Sequence, residues 1–468
     1  MNIINKLAEF LLPYQLLELT QDSHCEYLIE KRQNFISKAK AIVFPSSTKE
    51  VSKIVKLCNE YGVSIVPQGG NSGLVGGCVS TEDQIIINSK LLNKITNIDI
   101  HNYSISCQTG VMLKNLQNFA DSFNLYFPLS LPSEDICTIG GNIATNAGGI
   151  NVLKYGNTKD LVLGIEAVLP NGEIYSDLNL LYKRNIGFDT KNLFIGSEGI
   201  LGFICEATLK LFPKPCSKIN FMFSVSNLGI IEQLFYEIKN LFHSFLSSYE
   251  IFNLNAFNLV KQTHPHLNDI TNIIQSQDEW FAIGSFDLPF LETENEYDLI
   301  KNKLHTLLVK EKINNVYVKS NSLFWAVRYA IPKAQKIYGK SLKHDISIPI
   351  SKITDTISIL EKHLNTKYNN LLPIIFGHFG DGNLHYNLSC KNNDNTYLDK
   401  YKIDIKSEII NFIMGLNGTF SAEHGIGLLH KEEFKKYYSH NQYNNLKLIK
   451  SIFDKNNIFN PNKILEKN

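Results

Sequence analysis

No two of the eight cysteines stand as C-x-x-C; they are scattered at positions 25, 58, 78, 107, 137, 205, 216 and 390. That spacing argues against iron–sulfur clusters, zinc ribbons and dithiol redox motifs, and it fits a reducing compartment. Neither sign of charge dominates. The 46 Lys and Arg against 45 Asp and Glu leave a formal net charge of +1, so nothing points to nucleic acid or a strongly charged membrane surface. No apolar run approaches the roughly 18 residues that a spanning helix needs. Residues 1–19 lack a cleavable signal pattern, because Glu9 and Pro13 interrupt them and no small-residue cleavage site follows. They are not Arg-rich like a transit peptide either. The expectation is a soluble, cytoplasmic protein, with peripheral contact at an inner membrane left open. An internal repeat, a low-complexity segment, a G-x-G-x-x-G fingerprint and a P-loop are all missing as well.

What is present is an ordinary globular composition, 44% hydrophobic and 19% charged over 468 residues, enough for two or three domains with full cores. Residues 1 to about 38 read as helical, with Leu7, Phe10, Leu11, Tyr14 and Leu17 apolar. A strand over residues 41–45 follows. Ser47-Thr48-Lys49-Glu50 then forms a capping box for a helix with Val51, Ile54, Val55 and Cys58 on one face. Further strands are expected at 84–88, 103–108, 165–169 and 206–211, with a helix over 113–123 and an Asn171-Gly172 hairpin turn. Pro213-Lys214-Pro215 marks a boundary. Beyond it, helices over 230–245 and 292–309 mix with strands.

Three small-residue stretches punctuate the first half. Pro67-Gln68-Gly69-Gly70-Asn71-Ser72-Gly73-Leu74-Val75-Gly76-Gly77 leaves a buried strand at residues 64–66, the second stretch runs from Pro132 to Gly149, and the third from Ile195 to Gly202. Glycine-rich loops bring backbone N–H groups close to an anion. One such loop is a turn; three within 140 residues suggest a long ligand laid against backbone.

In the second half, Gly377-His378-Phe379-Gly380-Asp381-Gly382-Asn383-Leu384-His385 holds two imidazoles around Asp381-Gly382, a two-residue hairpin signal. That turn would oppose His378 to His385 across two strands, with Cβ atoms about 5 Å apart. Period two then puts Asn387 on the face of His385 and turns Tyr386 away. Glu423, in Ser421-Ala422-Glu423-His424-Gly425, is a third ligand candidate. Two His and a carboxylate leave open positions on a divalent ion, as catalysis requires. The plainer alternative is a pair of hydrogen-bonded structural histidines.

Five motifs occur together and in order: PQGGNSGLVGG, GGNIATNAGG, FIGSEGILG, GHFGDGNLHYN and SAEHGIG. In them the chain, from about residue 35 to its end, resembles the FAD-linked D-2-hydroxyacid dehydrogenases of the vanillyl-alcohol-oxidase (PCMH-type FAD-binding) superfamily. Within that family it is most similar to the members that oxidise D-2-hydroxyglutarate to 2-oxoglutarate. The resemblance implies an α+β fold. It consists of an N-terminal segment (1–35), a PCMH-type FAD-binding domain of two α/β subdomains (36–214), a substrate and metal domain with an antiparallel sheet (215–420), and a segment completing the active site (421–468).

It further implies that Pro67, Gln68, Gly69, Gly70, Asn71, Ser72, Gly73 and Leu74 hold the FAD pyrophosphate. Pro132, Thr138, Gly141, Thr145, Asn146 and Gly148 would line the flavin and ribityl chain, and Glu198 and Ile204 would complete the pocket. Covalently flavinylated relatives carry His where this chain has Asn71, so FAD is expected to be non-covalent. His378, His385 and Glu423 map to the ligands of a divalent metal, Zn²⁺ first among the choices. His424 maps to the catalytic base, and Arg328, Lys343 and Asn387 to substrate-carboxylate groups. Arg328 lies in a mostly apolar stretch, so its charge needs a partner; Lys343 could instead pair with Asp345. The sequence departs from the family at Pro332, where a Thr is usual, and at Ile200, also usually Thr.

The implied partners are a small 2-hydroxy acid and a separate electron acceptor (an electron-transfer flavoprotein, a quinone or a cytochrome), with no nucleic acid and with a homodimer allowed. Rivals are oxidation of D-lactate or glycolate, a metal-dependent hydrolase on the two-His-one-carboxylate set, and a non-catalytic flavin scaffold.

Overall fold

The computed structural model describes the chain apart from residues 1–2, 21–24, 33, 82, 272–277, 290–293, 311–312, 314–315, 320–321 and 467–468. The chain divides into two compact units. The first comprises Met1–Gly149, Gly156–Lys214 and Glu423–Asn468; the second comprises Ile150–Tyr155 and Pro215–Ala422.

The first unit holds a four-stranded sheet in which Ala41–Val43 and Ile65–Gln68 both run parallel to Ile85–Asn88 between them. The strands are apolar runs because both faces are covered. Ala41, Val43, Ile65, Ile85 and Ile87 pack into one cluster, and Ile42, Val66 and Ile86 into another. The connecting helix, Thr48–Glu60, buries Val51, Ile54, Val55 and Cys58. Its cap is built differently from a capping box. Ser47 accepts the Glu50 N–H, but the Glu50 carboxylate takes the Ser46 N–H and the Gln15 amide. A second, five-stranded antiparallel sheet contains Val162–Val168 and Phe203–Lys210 side by side.

The N-terminal expectation needs correction. Among the described residues of this segment, α-helix is confined to Ile3–Ala8, with 3₁₀ turns at Pro13–Gln15 and Glu26–Leu28, and Leu16–Glu18 is a strand paired antiparallel to Ala41–Val43. Pro13 ends the helical pattern, and the open edge of the sheet recruits the next apolar residues. The helix expected over 292–309 runs over Glu294–Lys310, its first two expected positions lying outside the described residues.

The second unit is built on a seven-stranded antiparallel sheet. One face packs Phe221, Phe223, Tyr249, Ile251, Ile375, Leu384, Tyr386 and Leu388 into the largest apolar cluster. The other face packs Phe252, Ile283, Ile374 and Phe376 against Trp325, Val327, Ile331 and Ala334 of the helix Leu323–Tyr338. The polar residues of this second face are the ones that matter below.

Candidate functional site

The three glycine-rich stretches of the first unit meet around one cavity. It is lined by residues 67–73, by Thr138, Gly141 and Thr145, and by Glu198 and Ile204. Twelve of the sixteen residues expected at the cofactor are therefore in its wall; Leu74, Pro132, Asn146 and Gly148 are not. The wall also includes residues that sequence reasoning passed over, among them Glu30, Cys78, Ser89 and Thr109.

The loops pack backbone to backbone. A Cβ at Gly69 would overlap the Thr138 hydroxyl, and one at Gly70 would overlap the Ile136 carbonyl oxygen. Glycine is thus a packing requirement at both positions. Buried Ser89 presents a hydroxyl with no hydrogen-bond partner among the described residues, as a wall awaiting a polar ligand would. A long anionic cofactor fits this narrow, backbone-walled cleft. Asn71 has φ +50° and gives its side-chain amide to the Ile29 carbonyl.

His424 lines the same cavity, with its Nε2 3.5 Å from Glu423 Oε1. The loop that carries it is braced by Glu198, which accepts the N–H groups of Ile426 (2.7 Å) and Gly427 (2.8 Å). Each Glu198 oxygen thus accepts one backbone N–H of that loop. Burial pushes its pKa up while those two N–H groups oppose the rise. Behind the loop, Lys463 is buried, and burial pushes its pKa down to about 7 against the attraction of Cys78 and Glu198.

In the second unit, the expected hairpin register is wrong by two residues. The strand Leu371–Gly377 pairs with Asn383–Cys390 so that Phe376, not His378, opposes His385. The turn is longer than Asp381-Gly382 alone. It is a 3₁₀ turn over Phe379–Asp381, closed by Gly382 at φ +86°, with the Asn383 N–H returning to the His378 carbonyl. The imidazoles nonetheless meet, with ring centroids 5.9 Å apart. Asn387 is on the His385 face as expected, and Tyr386 points into the opposite core. The Asn387 side chain donates to Gln335 Oε1 (2.9 Å) and accepts the His344 backbone N–H (3.2 Å).

Each imidazole has a carboxylate behind it. His378 Nδ1 lies 3.2 Å from Glu250 Oε1, and His385 Nδ1 lies 3.8 Å from Asp345 Oδ1. Asp345 also accepts the Ala422 N–H, so it ties down the residue just before Glu423. An imidazole with a carboxylate behind Nδ1 can present its Nε2 lone pair to a divalent ion.

Arg328 has the partner its setting demanded: its Nε–H goes to Glu250 Oε2, and its guanidinium lies 4.7 Å from the Phe376 ring centre. Lys343 is exposed, two residues before the strand Asp345–Ser347. Pro332 sits inside the helix that carries Arg328, where it removes the N–H that would bond the Arg328 carbonyl. Burial holds the neighbouring His344 near pKa 4, so it is neutral at working pH. The important residues that sequence reasoning missed are Glu250 and the role of Asp345. Glu250 could have been noticed as a lone acid inside the apolar strand Leu246–Asn253.

Two family descriptions match the chain: an FAD binding domain over residues 39–177 and the C-terminal domain of FAD linked oxidases over residues 233–464. The D-2-hydroxyglutarate dehydrogenase of Arabidopsis thaliana mitochondria is 34% identical over 432 residues, covering 91% of this chain and 75% of that protein. The D-2-hydroxyglutarate–pyruvate transhydrogenase of Saccharomyces cerevisiae is 30% identical over 442 residues, covering 91% and 86%. Among solved structures, p-cresol methylhydroxylase with substrate bound superposes with a TM-score of 0.77 at 15% identity, covering 99% of this chain and 96% of that one, a likeness of fold alone. With its glycine-walled cavity and its sequence matched along nearly the whole length, the chain belongs to the FAD-linked oxidase family, among the flavin-dependent D-2-hydroxyacid dehydrogenases.

Proposed function

We propose that the protein oxidises D-2-hydroxyglutarate to 2-oxoglutarate, using non-covalent FAD and one divalent ion held by His378, His385 and Glu423. The observation that carries this reading is a polar patch on the second unit's sheet, where the buried Arg328 guanidinium and the His378 imidazole lie against one carboxylate, Glu250, and His385 lies near a second, Asp345. The Arabidopsis and yeast relatives, both named for D-2-hydroxyglutarate, support the choice of acid. Bound FAD supplies the hydride acceptor, and a bound divalent ion lowers the pKa of the C2 hydroxyl.

The chain's own residues do the rest. His424 takes the hydroxyl proton. Arg328 offers the two Nη groups of its fork to a carboxylate. Lys343 and Asn387 complete recognition of the dicarboxylate. Zn²⁺ suits two imidazoles and a carboxylate. Asn71 offers no imidazole for a flavin bond, so acid precipitation should leave the flavin in the supernatant. Electrons leave through a separate acceptor (an electron-transfer flavoprotein, a quinone or a cytochrome), with pyruvate added to the assay because the yeast relative's name includes it. No helix among the described residues is long and apolar enough to cross a membrane. A cytoplasmic protein, peripheral at an inner membrane and dimeric, is the working arrangement to be checked by fractionation and sedimentation.

The test is a panel of D- and L-2-hydroxy acids with an artificial electron acceptor, with and without chelator. D-2-hydroxyglutarate should outrun D-lactate and glycolate, the L-enantiomers should be inert, and chelation should stop turnover. Lys343→Met should raise KM for 2-hydroxyglutarate and spare D-lactate, because a cation matched to a second carboxylate discriminates by roughly a hundredfold. Equal damage to both substrates would favour the lactate or glycolate reading.

A further inference from the structure

We infer that Glu250 is a positioning residue shared by two parts of the proposed site, its one carboxylate holding the His378 imidazole and the Arg328 guanidinium at once. Metal retention and carboxylate recognition are thereby linked through a single side chain. The inference rests on the reading of His378 as a metal ligand and Arg328 as a substrate group.

Glu250 lies on the strand Leu246–Asn253, between the neighbouring strands Trp280–Leu288 and Leu371–Gly377. Its side chain is 1% exposed. A carboxylate so placed is tolerated only where its charge is met. Strand alternation sends Tyr249 and Ile251 into the opposite core, so Glu250 shares the face of Phe252 and, across the ladder, Ile283. There its two oxygens diverge. Oε2 takes the Arg328 Nε–H, while Oε1 makes no hydrogen bond among the described residues and has His378 Nδ1 3.2 Å away, so a small turn of the imidazole would give this buried oxygen its donor.

The consequences are separate for the two partners. A proton on Nδ1 would satisfy that oxygen, and the imidazole would then present the Nε2 lone pair outward. The guanidinium is clamped at Nε and lies over Phe376, which fixes the plane of the fork and leaves its Nη groups for a ligand. Phe376 in turn packs its ring 4.9 Å from that of His385. One carboxylate and one aromatic ring thus set the positions of both imidazoles and the cation.

Glu250→Gln keeps the shape but has a single acceptor oxygen, so one of the two donors loses its partner. Zinc affinity, measured by competition with a chromogenic chelator, should fall tenfold to hundredfold. KM for 2-hydroxyglutarate should rise, and flavin content should stay at the wild-type level. A role confined to neutralising Arg328 is separated by making the same change in an Arg328→Met background, where the zinc affinity should still fall at least tenfold. Glu250→Asp guards against a misfolded Gln variant. It keeps the charge, and its shorter stem reaches only one partner, so either zinc affinity or KM should suffer. Zinc binding by the wild type that neither Glu250 variant weakens, or equal affinity with and without Glu250 in the Met background, would overturn this inference alone. A wild type that binds no zinc would overturn the metal reading and this inference with it.

Discussion

The cavity of the first unit is walled by backbone, and the polar face of the second unit's sheet is made of side chains. At Gly70 the Ile136 carbonyl approaches so closely that a methyl group has no room, and at Gly69 the Thr138 hydroxyl fills the space. On the sheet, the working groups are Glu250, Arg328, His378, His385 and Asp345, each fixed by a named charge partner. The first arrangement is governed by room, which is absent at its tightest glycine. The second is governed by charge and donor direction. Binding a long cofactor and steering a small anionic substrate are different tasks, and the proposed function assigns one to each region.

The strongest way to break this contrast is a single methyl group. Gly70→Ala should cost about 1–3 kcal/mol by overpacking and reduce bound flavin roughly tenfold or more. Gly73→Ala, where a Cβ meets nothing within 4 Å, should leave flavin content unchanged. Absorption spectra of the two purified variants decide it, and equal flavin in both would make the loop an ordinary turn. Next in size, His385→Ala should abolish zinc binding and lower turnover by roughly a hundredfold or more, while flavin stays at the wild-type level. Flavin lost together with zinc would mean that the two regions are not independent.

The smallest effect concerns the exception to the contrast, a charged side chain buried behind the backbone-walled cavity. Lys463 has a folded pKa of about 7 against an ordinary 10.5. Between those values the unfolded chain holds a proton that the folded chain does not, so this group makes stability rise with pH across that window. Below about pH 7 the full penalty of a buried charge applies. Lys463→Met should therefore stabilise the protein most at pH 6, on the order of a few kcal/mol, with the gain shrinking toward pH 10. Thermal midpoints of both proteins over pH 6–10 measure it; a constant difference would mean that Lys463 titrates at its ordinary value.

The same contrast explains what could be read from sequence. A backbone-walled cavity advertises itself, because close main-chain packing demands contiguous small residues, and twelve of sixteen expected residues line it. A side-chain site depends on which strands become neighbours. The pairing of His378 with His385 was legible as proximity but not as register, because the Asp381-Gly382 signal was overridden by a longer turn closed onto the His378 carbonyl. Glu250 stands 128 positions before His378 and 78 before Arg328, and only the sheet brings the three together. At the N-terminus, apolar spacing compatible with a helix was claimed instead by a sheet edge at Leu16–Glu18. Arg328 was recognisable as a charge in need of compensation; its partner was not.

The first unit is interrupted: residues 215–422 intervene before Glu423–Asn468 return to it. The returning segment places Phe459 alongside Ile65, with Ile65 donating to the Ile458 carbonyl and accepting from Asn460. Lys450 reaches the Ile200 carbonyl from the same segment. On the ribosome, then, the strand that leads into the first glycine loop waits with an open edge while the entire second unit is synthesised. The nascent chain cannot complete the cavity wall, to which His424 belongs, until the segment beginning at Glu423 has emerged. A chain cut before Glu423 would therefore keep every glycine loop and lack this part of the wall.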